Sequence, residues 1–163
     1  MSGILIAGFG AIGKTAVSKK YNNVMDLESS SFKYIIDDEL KKLNPEERKG
    51  LKSRKLNKEF PNNYYNEIMK DLEVYEIVLI SMHNEIIDLL EENNINYYVV
   101  YPEENMIGEI LERCKNRGNK DDFLNGVKDA YYRLYPRKCK NIIWMKKGEY
   151  LEDILIRNNL LKS

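Results

Sequence analysis

The residues Gly8-Phe9-Gly10-Ala11-Ile12-Gly13-Lys14-Thr15 follow directly on the apolar run Ile4-Leu5-Ile6-Ala7. A short apolar run of this kind reads as a strand buried on both faces. Three glycines within six residues then let the backbone turn sharply and approach another group closely. A helix starting near Lys14 would point its free N–H groups and the positive end of its dipole at one place, which is where phosphate binds. The stretch fits two phosphate-binding spacings at once. Gly8, Gly13, Lys14 and Thr15 satisfy G-x-x-x-x-G-K-T, and Gly8, Gly10 and Gly13 satisfy G-x-G-x-x-G.

The first spacing is that of a P-loop, the second that of a Rossmann dinucleotide turn. Only the P-loop uses Lys14, whose ammonium would reach the outer phosphates, and Thr15, whose hydroxyl would hold Mg²⁺. The candidate nucleotide contacts are then Gly8, Gly10, Ala11, Ile12, Gly13, Lys14, Thr15 and Ala16. The Rossmann reading asks instead for an acid at the end of the second strand, about 20 residues on, and Asp26 could serve. Against it stand a short first helix, an unused Lys14-Thr15, and a chain of 163 residues, small for an oxidoreductase with its own substrate domain. The P-loop is therefore favoured, with a Rossmann-type NAD(P) binder as the weaker alternative.

Downstream, strand and helix patterns alternate, which predicts a parallel α/β sheet with right-handed crossovers. Strands are expected at Gly3 to Ala7, Asn23 to Leu27, Glu76 to Ser81, Asn96 to Tyr101 and Asn141 to Met145. Helices are expected at Lys14 to Lys20, Pro61 to Leu72, His83 to Asn93, Glu103 to Arg117, Asp121 or Asp122 to Tyr135, and Glu149 to Leu161. Residues 37–60 are dense in Lys, Glu and Asn with little hydrophobic periodicity, so a mobile polar segment is expected there, with a helix starting near Asn44. No linker or internal repeat divides the chain, which reads as one domain over residues 1–163.

Lys plus Arg and Asp plus Glu both number 26, and a balanced chain argues against general nucleic-acid binding. The chain has no apolar run long enough for a membrane span, and no basic leader precedes the first strand, so a cytoplasmic protein is expected. Cys114 and Cys139 have neither metal-ligand nor disulfide-framework spacing and read as reduced thiols.

Several other side chains carry chemistry. Asp26 and Glu28 alternate at the end of the second strand, so both carboxylates can face one site. They are candidates to accept a proton from an acceptor hydroxyl, to bind it, or to hold Mg²⁺ through water. The third strand ends in Ser81, Met82 and His83 where many P-loop ATPases carry a metal-binding acid, which favours a small kinase over a motor or GTPase switch. His83 reads as a polar helix cap more than as a catalyst. Arg113 and Arg117 share a helix face beside Gly118, suited to covering charge that develops on a transferring phosphoryl group. Arg133 and Arg137 are weaker candidates. Tyr64 and Tyr65, with Asn62 and Asn63, are candidates for an acceptor pocket, although helix packing accounts for them better.

With the P-loop at Gly8 to Thr15, the acid-bearing end of strand two around Asp26, the five-strand layout and the Arg113/Arg117 pair, the chain resembles the nucleoside monophosphate kinases. The Asp-Leu-Glu-Ser-Ser run and Gly148-Glu149-Tyr150-Leu151 are similar to small phage-type adenylate or deoxynucleoside monophosphate kinase-like proteins. The resemblance implies a three-layer α/β fold of P-loop kinase type, its five parallel strands in the order 2-3-1-4-5. It implies ATP and Mg²⁺ on the loop, a small nucleotide-like acceptor near Asp26 and residues 30–66, and a short lid near 117–121. Lys14, Asp26, Arg113 and Arg117 would be the catalytic residues and Thr15 the metal ligand. The Asp-Gly-x-Pro-Arg signature of adenylate kinases is missing after strand three, so the acceptor is open. A nucleotide-binding module without turnover is the second functional reading.

Overall fold

A computed structural model describes residues 3–48, 51 and 54–161. Five parallel strands form the central sheet: β1 (Ile4–Gly8), β2 (Val24–Leu27), β5 (Ile77–Ser81), β6 (Tyr98–Pro102) and β7 (Ile142–Met145), in the order β2-β5-β1-β6-β7. Numbered among themselves, these strands run 2-3-1-4-5, as expected. The chain-order labels are displaced by an additional antiparallel ribbon, β3 (Tyr34–Ile35) with β4 (Lys55–Leu56). That ribbon corrects the sequence reading of residues 37–60, which foresaw no strand. The same segment holds α3 (Asp38–Lys41), with Leu40 buried, and α4 (Pro45–Arg48). Within the expected mobile segment, residues 49, 50, 52 and 53 lie outside the described residues.

β5 forms where the sequence is most apolar, and Ile77, Val78, Leu79 and Ile80 are all buried. Each such side chain contributes about 1.5–3 kcal/mol on leaving water, which explains why this strand lies between β2 and β1 and not at an edge. The register brings Gly8 level with Ser81, and Leu27 level with Ile80. The C-terminal ends of the three strands that carry the loop, Asp26 and His83 are thereby aligned.

Of the helices, α1 (Lys14–Lys20) and α9 (Leu151–Arg157) touch each other, as do α5 (Asn62–Leu72) and α6 (Asn84–Glu92). Right-handed crossovers place the first pair on one face of the sheet and the second on the other. The helix expected from Glu103 divides into a 3₁₀ turn at Glu104–Met106 and α7 (Ile107–Asn116), followed by α8 (Asp121–Arg133). α8 begins after Lys120, and Asp121 and Asp122 sit in its first turn without capping it through a side chain. The closing helix is shorter than the sequence suggests, seven residues preceded by a capping box between Tyr150 and Asp153. α2 (Ser30–Lys33) leads from the end of β2 into the ribbon.

Candidate functional site

The loop between β1 and α1 curls around its own lysine. Lys14 Nζ donates to the carbonyls of Gly8 and Phe9, at 3.0 and 2.9 Å. Ile12 points inward and is fully buried, and a Cβ on Gly8 would lie 2.4 Å from its Cδ1. A side chain at position 8 would therefore displace the buried Ile12 side chain beneath the loop. Gly13 is required by the backbone, since its φ is +107° where the chain enters α1. A Cβ on Gly10 would meet no protein atom within 4 Å. The first-turn amides of α1 have no intrahelical acceptor and open toward the same side.

Thr15 and Asp26 meet across the strand ends. Thr15 Oγ1 donates to Asp26 Oδ2 at 2.8 Å. The other oxygen, Asp26 Oδ1, is buried with no hydrogen-bond partner among the described residues. A buried carboxylate oxygen left unpaired is costly unless something else occupies it. A hydroxyl and a carboxylate are hard oxygen donors that suit Mg²⁺. That ion is commonly held by one or two carboxylates together with substrate phosphates and water. The described residues contain no cluster of three or more His, Cys, Asp or Glu that would hold a metal unaided. Glu28 also lines the cleft, its carboxylate accepting from Ser30 N at 2.8 Å and Ser30 Oγ at 3.0 Å.

His83 precedes α6 without capping it through its side chain. Its Nε2 lies 2.8 Å from Ser29 Oγ, and its ring meets Phe60 and Tyr64 edge-on. Burial, and then the nearby charges of Lys33, Arg133 and Lys14, lower its pKa to about 3, so the ring is neutral. Tyr64 is fully buried; its hydroxyl donates to the Leu27 carbonyl and accepts from Ser81 N at 3.1 Å. It braces strand ends and is packing, as the sequence favoured.

Arg113 and Arg117 behave differently from each other. Arg113 is tied down: it donates to the Ala11 carbonyl at 3.2 Å and the Glu149 carbonyl at 2.6 Å, pairs with Glu109 at 2.5 Å, and lies 3.9 Å from the centre of the Tyr150 ring. Arg117 is exposed and, among the described residues, donates to Cys114 Sγ and Asn119 Oδ1, with Gly118 at φ +90° ending the helix. Asn119 in turn donates to Glu46 of α4.

Lys14, Thr15, Asp26, His83, Arg113 and Arg117 line one cleft of about 850 Å³ at the C-terminal ends of the strands, the usual ligand position in an open α/β sheet. The cleft also gathers Lys19, Lys33, Arg54 and Arg133. Sequence reasoning passed over Lys33 and Arg54 and undervalued Arg133. Lys33 and Arg54 lie in or next to stretches without periodicity, and their one local signal is that Lys33 closely follows the Asp26–Ser31 run. Among the described residues Lys33, Arg54, Arg117 and Arg133 have no carboxylate partner. Arg54 instead stacks on Tyr34, 3.9 Å from the ring centre. Arg137 lies outside the cleft, its guanidinium near Tyr135 and bonded to the Tyr132 carbonyl. Cys114 and Cys139 are both free thiols.

The strand order separates the two readings of the glycine loop. In a Rossmann unit β2 lies beside β1; here β5 lies between them and β2 pairs with β5. Asp26 accordingly bonds the P-loop threonine. No helix among the described residues is long and apolar enough to cross a membrane.

No protein-family model matches the chain, and no curated protein matches it at a significant level. Among solved structures it is similar to a gluconokinase from Sinorhizobium meliloti 1021, with 18% identity, a TM-score of 0.57, and coverage of 98% of this chain and 90% of that one. At that identity the likeness speaks for architecture: the chain has the P-loop kinase fold.

Proposed function

We propose that the protein is an ATP-dependent phosphotransferase acting on a small anionic acceptor, most simply a (deoxy)nucleoside monophosphate. One observation carries this reading. A single cleft unites Lys14, Thr15 and Asp26 with Lys33, Arg54 and Arg133, cations that have no carboxylate partner among the described residues, on its β2–β5 side. Lining the cleft are seven cationic and three acidic side chains (Lys14, Lys19, Lys33, Arg54, Arg113, Arg117, Arg133 against Asp26, Glu28, Asp122), in a chain whose total charge is zero. Such an excess suits two anionic ligands better than one.

In this mechanism the loop amides and Lys14 hold the phosphates of ATP. Thr15 and Asp26 would hold Mg²⁺, which neutralises charge on the phosphate oxygens. The acceptor lies between Asp26 and the cations of α2 and the ribbon. Arg117 covers the charge that develops on the transferring group. Arg113, already bonded four ways, acts through the loop and not on the phosphoryl group. Residues 37–60 and 117–121 would close over the ligands. The flat Tyr34 ring beside Arg54 favours an acceptor with a base over a sugar acid, although gluconate belongs in any panel because of the structural neighbour.

The test is ADP release measured across nucleosides, nucleoside monophosphates, sugars and sugar acids including gluconate, with Lys14→Ala as control. Turnover with one monophosphate, lost in Lys14→Ala, is expected. ATP binding without turnover on any acceptor would leave the non-catalytic module as the better reading.

A further inference from the structure

Among the described residues the buried polar or charged side chains are Ser29, Asp71 and Asn119. Ser29 belongs to the tie with His83, and Asp71 lies on α5 and does not line the cleft. Asn119, 7% exposed, follows α7 two residues after the cleft arginine Arg117. The end of the helix fixes its place. Asn119 N donates to the Cys114 carbonyl at 3.1 Å and Gly118 N to the Lys115 carbonyl at 3.0 Å, the paired bonds of a Schellman motif.

Burying an amide is costly unless both of its ends are bonded. Here both are, and to opposite charges. Nδ2 donates to Glu46 Oε2 at 2.9 Å, and Oδ1 accepts from Arg117 Nη2 at 3.3 Å. Only one orientation of the amide serves both, because turning it over would set its NH₂ against the guanidinium and its oxygen against the carboxylate. The two charges polarise the amide in the same sense, so each bond strengthens the other.

Glu46 stands 73 residues away along the chain, on α4. A helix of four residues has no stability of its own. α4 is held by reciprocal bonds between Asn44 and Glu47, at 3.0 and 2.8 Å, and by Arg48 Nε on the Leu40 carbonyl of α3 at 2.8 Å. α3 and α4 are thereby joined, and Glu46 joins them to the end of α7. The same segment leads on to Arg54 and β4, on the acceptor side of the cleft. We propose that Asn119 is a positioning residue: it ties Arg117 to Glu46, so that the cation over the transferring group takes its place together with the acceptor-side segment. The link rests on these bonds, and its use in catalysis rests on the phosphotransferase reading.

Two measurements on the whole protein separate the link from its use. Amide hydrogen exchange reads the link without turnover. Glu46→Ala should speed exchange at Gly118 and Asn119 about tenfold, the loss of one hydrogen bond to a charged group. Asn119→Ala should in turn speed exchange at Arg48, since coupling between two segments is reciprocal. Glu46→Gln, whose amide oxygen still accepts from Asn119, should stay close to wild type and guards against loss by misfolding. Steady-state kinetics, with the acceptor that supports most turnover in the panel, reads the use. Glu46→Ala and Asn119→Ala should each lower kcat about tenfold by misplacing Arg117, with ATP affinity by calorimetry unchanged. In an Arg117→Ala background neither should lower kcat further, because the residue they act through is gone. The link is overturned if exchange responds in neither segment, or if Glu46→Gln behaves like Glu46→Ala. The positioning role is overturned if kcat is unchanged, if ATP affinity falls in step with kcat, or if the Asn119→Ala and Arg117→Ala losses multiply. A wild type that turns over no acceptor defeats the phosphotransferase reading and the positioning role with it, while the exchange result still decides the link.

Discussion

On the β7 side of the cleft, the phosphate loop, α7 and the β7–α9 connection are joined by direct bonds from Ala11, Ile12, Glu109, Arg113, Glu149 and Leu151. The β2 side is put together from four-residue helices and a ribbon of two-residue strands. It is held by Ser29 on His83, Asn57 N on the Lys33 carbonyl, and Asn63 on the Phe32 carbonyl. Ile35 and Leu56 on that ribbon stay 51% and 65% exposed. One half is thus shaped before any ligand arrives, while the other carries cations without a carboxylate partner among the described residues and exposes apolar side chains. Rigid placement favours a ligand common to every turnover, and a loosely built half with spare charge favours capture of the variable one.

Substitutions can break this contrast, and the largest effect belongs to the half that is built first. Lys14→Ala removes the cation that organises the loop and should lower turnover about 10³-fold, with loss of ATP binding by calorimetry. Asp26→Asn preserves the acceptor for the Thr15 hydroxyl but removes the charge at the junction of the halves. It should lower kcat about 10²-fold, with little change in protein melting temperature. Lys33→Gln and Arg133→Gln should each raise the acceptor KM about tenfold and leave the ATP KM unchanged, which steady-state kinetics in both substrates will read. If either raises the ATP KM instead, the division of the cleft is wrong.

The smallest effect concerns the tie between His83 and Ser29. The folded-state pKa of His83, about 3, lies below the ordinary value of 6.5. Between those values the unfolded chain binds a proton that the folded protein refuses, so stability falls as pH drops from about 6.5 toward 3. The groups facing the ring are Lys33, Arg133 and Lys14, all cationic there, with Ser29, Phe60 and Tyr64 uncharged. Replacing His83 with Asn should reduce that slope by up to one proton in denaturant titrations across the window.

The parts legible in the sequence were those where one short stretch contains its own explanation. Gly8 to Thr15 carries the turn, the helix start and the ligand chemistry within eight residues. Ile77 to Ile80 announces a buried strand by composition alone. Arg54 and Lys33 were not legible, because nothing in their neighbourhoods repeats with a helical or strand period. Their shared place in the cleft appears only when a ribbon sets Ile35 against Lys55. Arg113 was legible as a cation near the site but not as a bonded strut, since the carbonyls that hold it belong to residues 11 and 149.

By itself the sequence determined that a buried strand feeds a glycine loop with phosphate-binding spacing, that strands and helices alternate, and that Asp26 stands at a strand end. These follow from local periodicity and backbone freedom. Only the tertiary structure decided between a P-loop and a dinucleotide turn, because the answer depends on β5 entering between β1 and β2, a pairing of strands about 70 residues apart in sequence that local spacing does not encode. It also decided which charges face the cleft unpaired, since partners are assigned by packing between elements and not by neighbours along the chain.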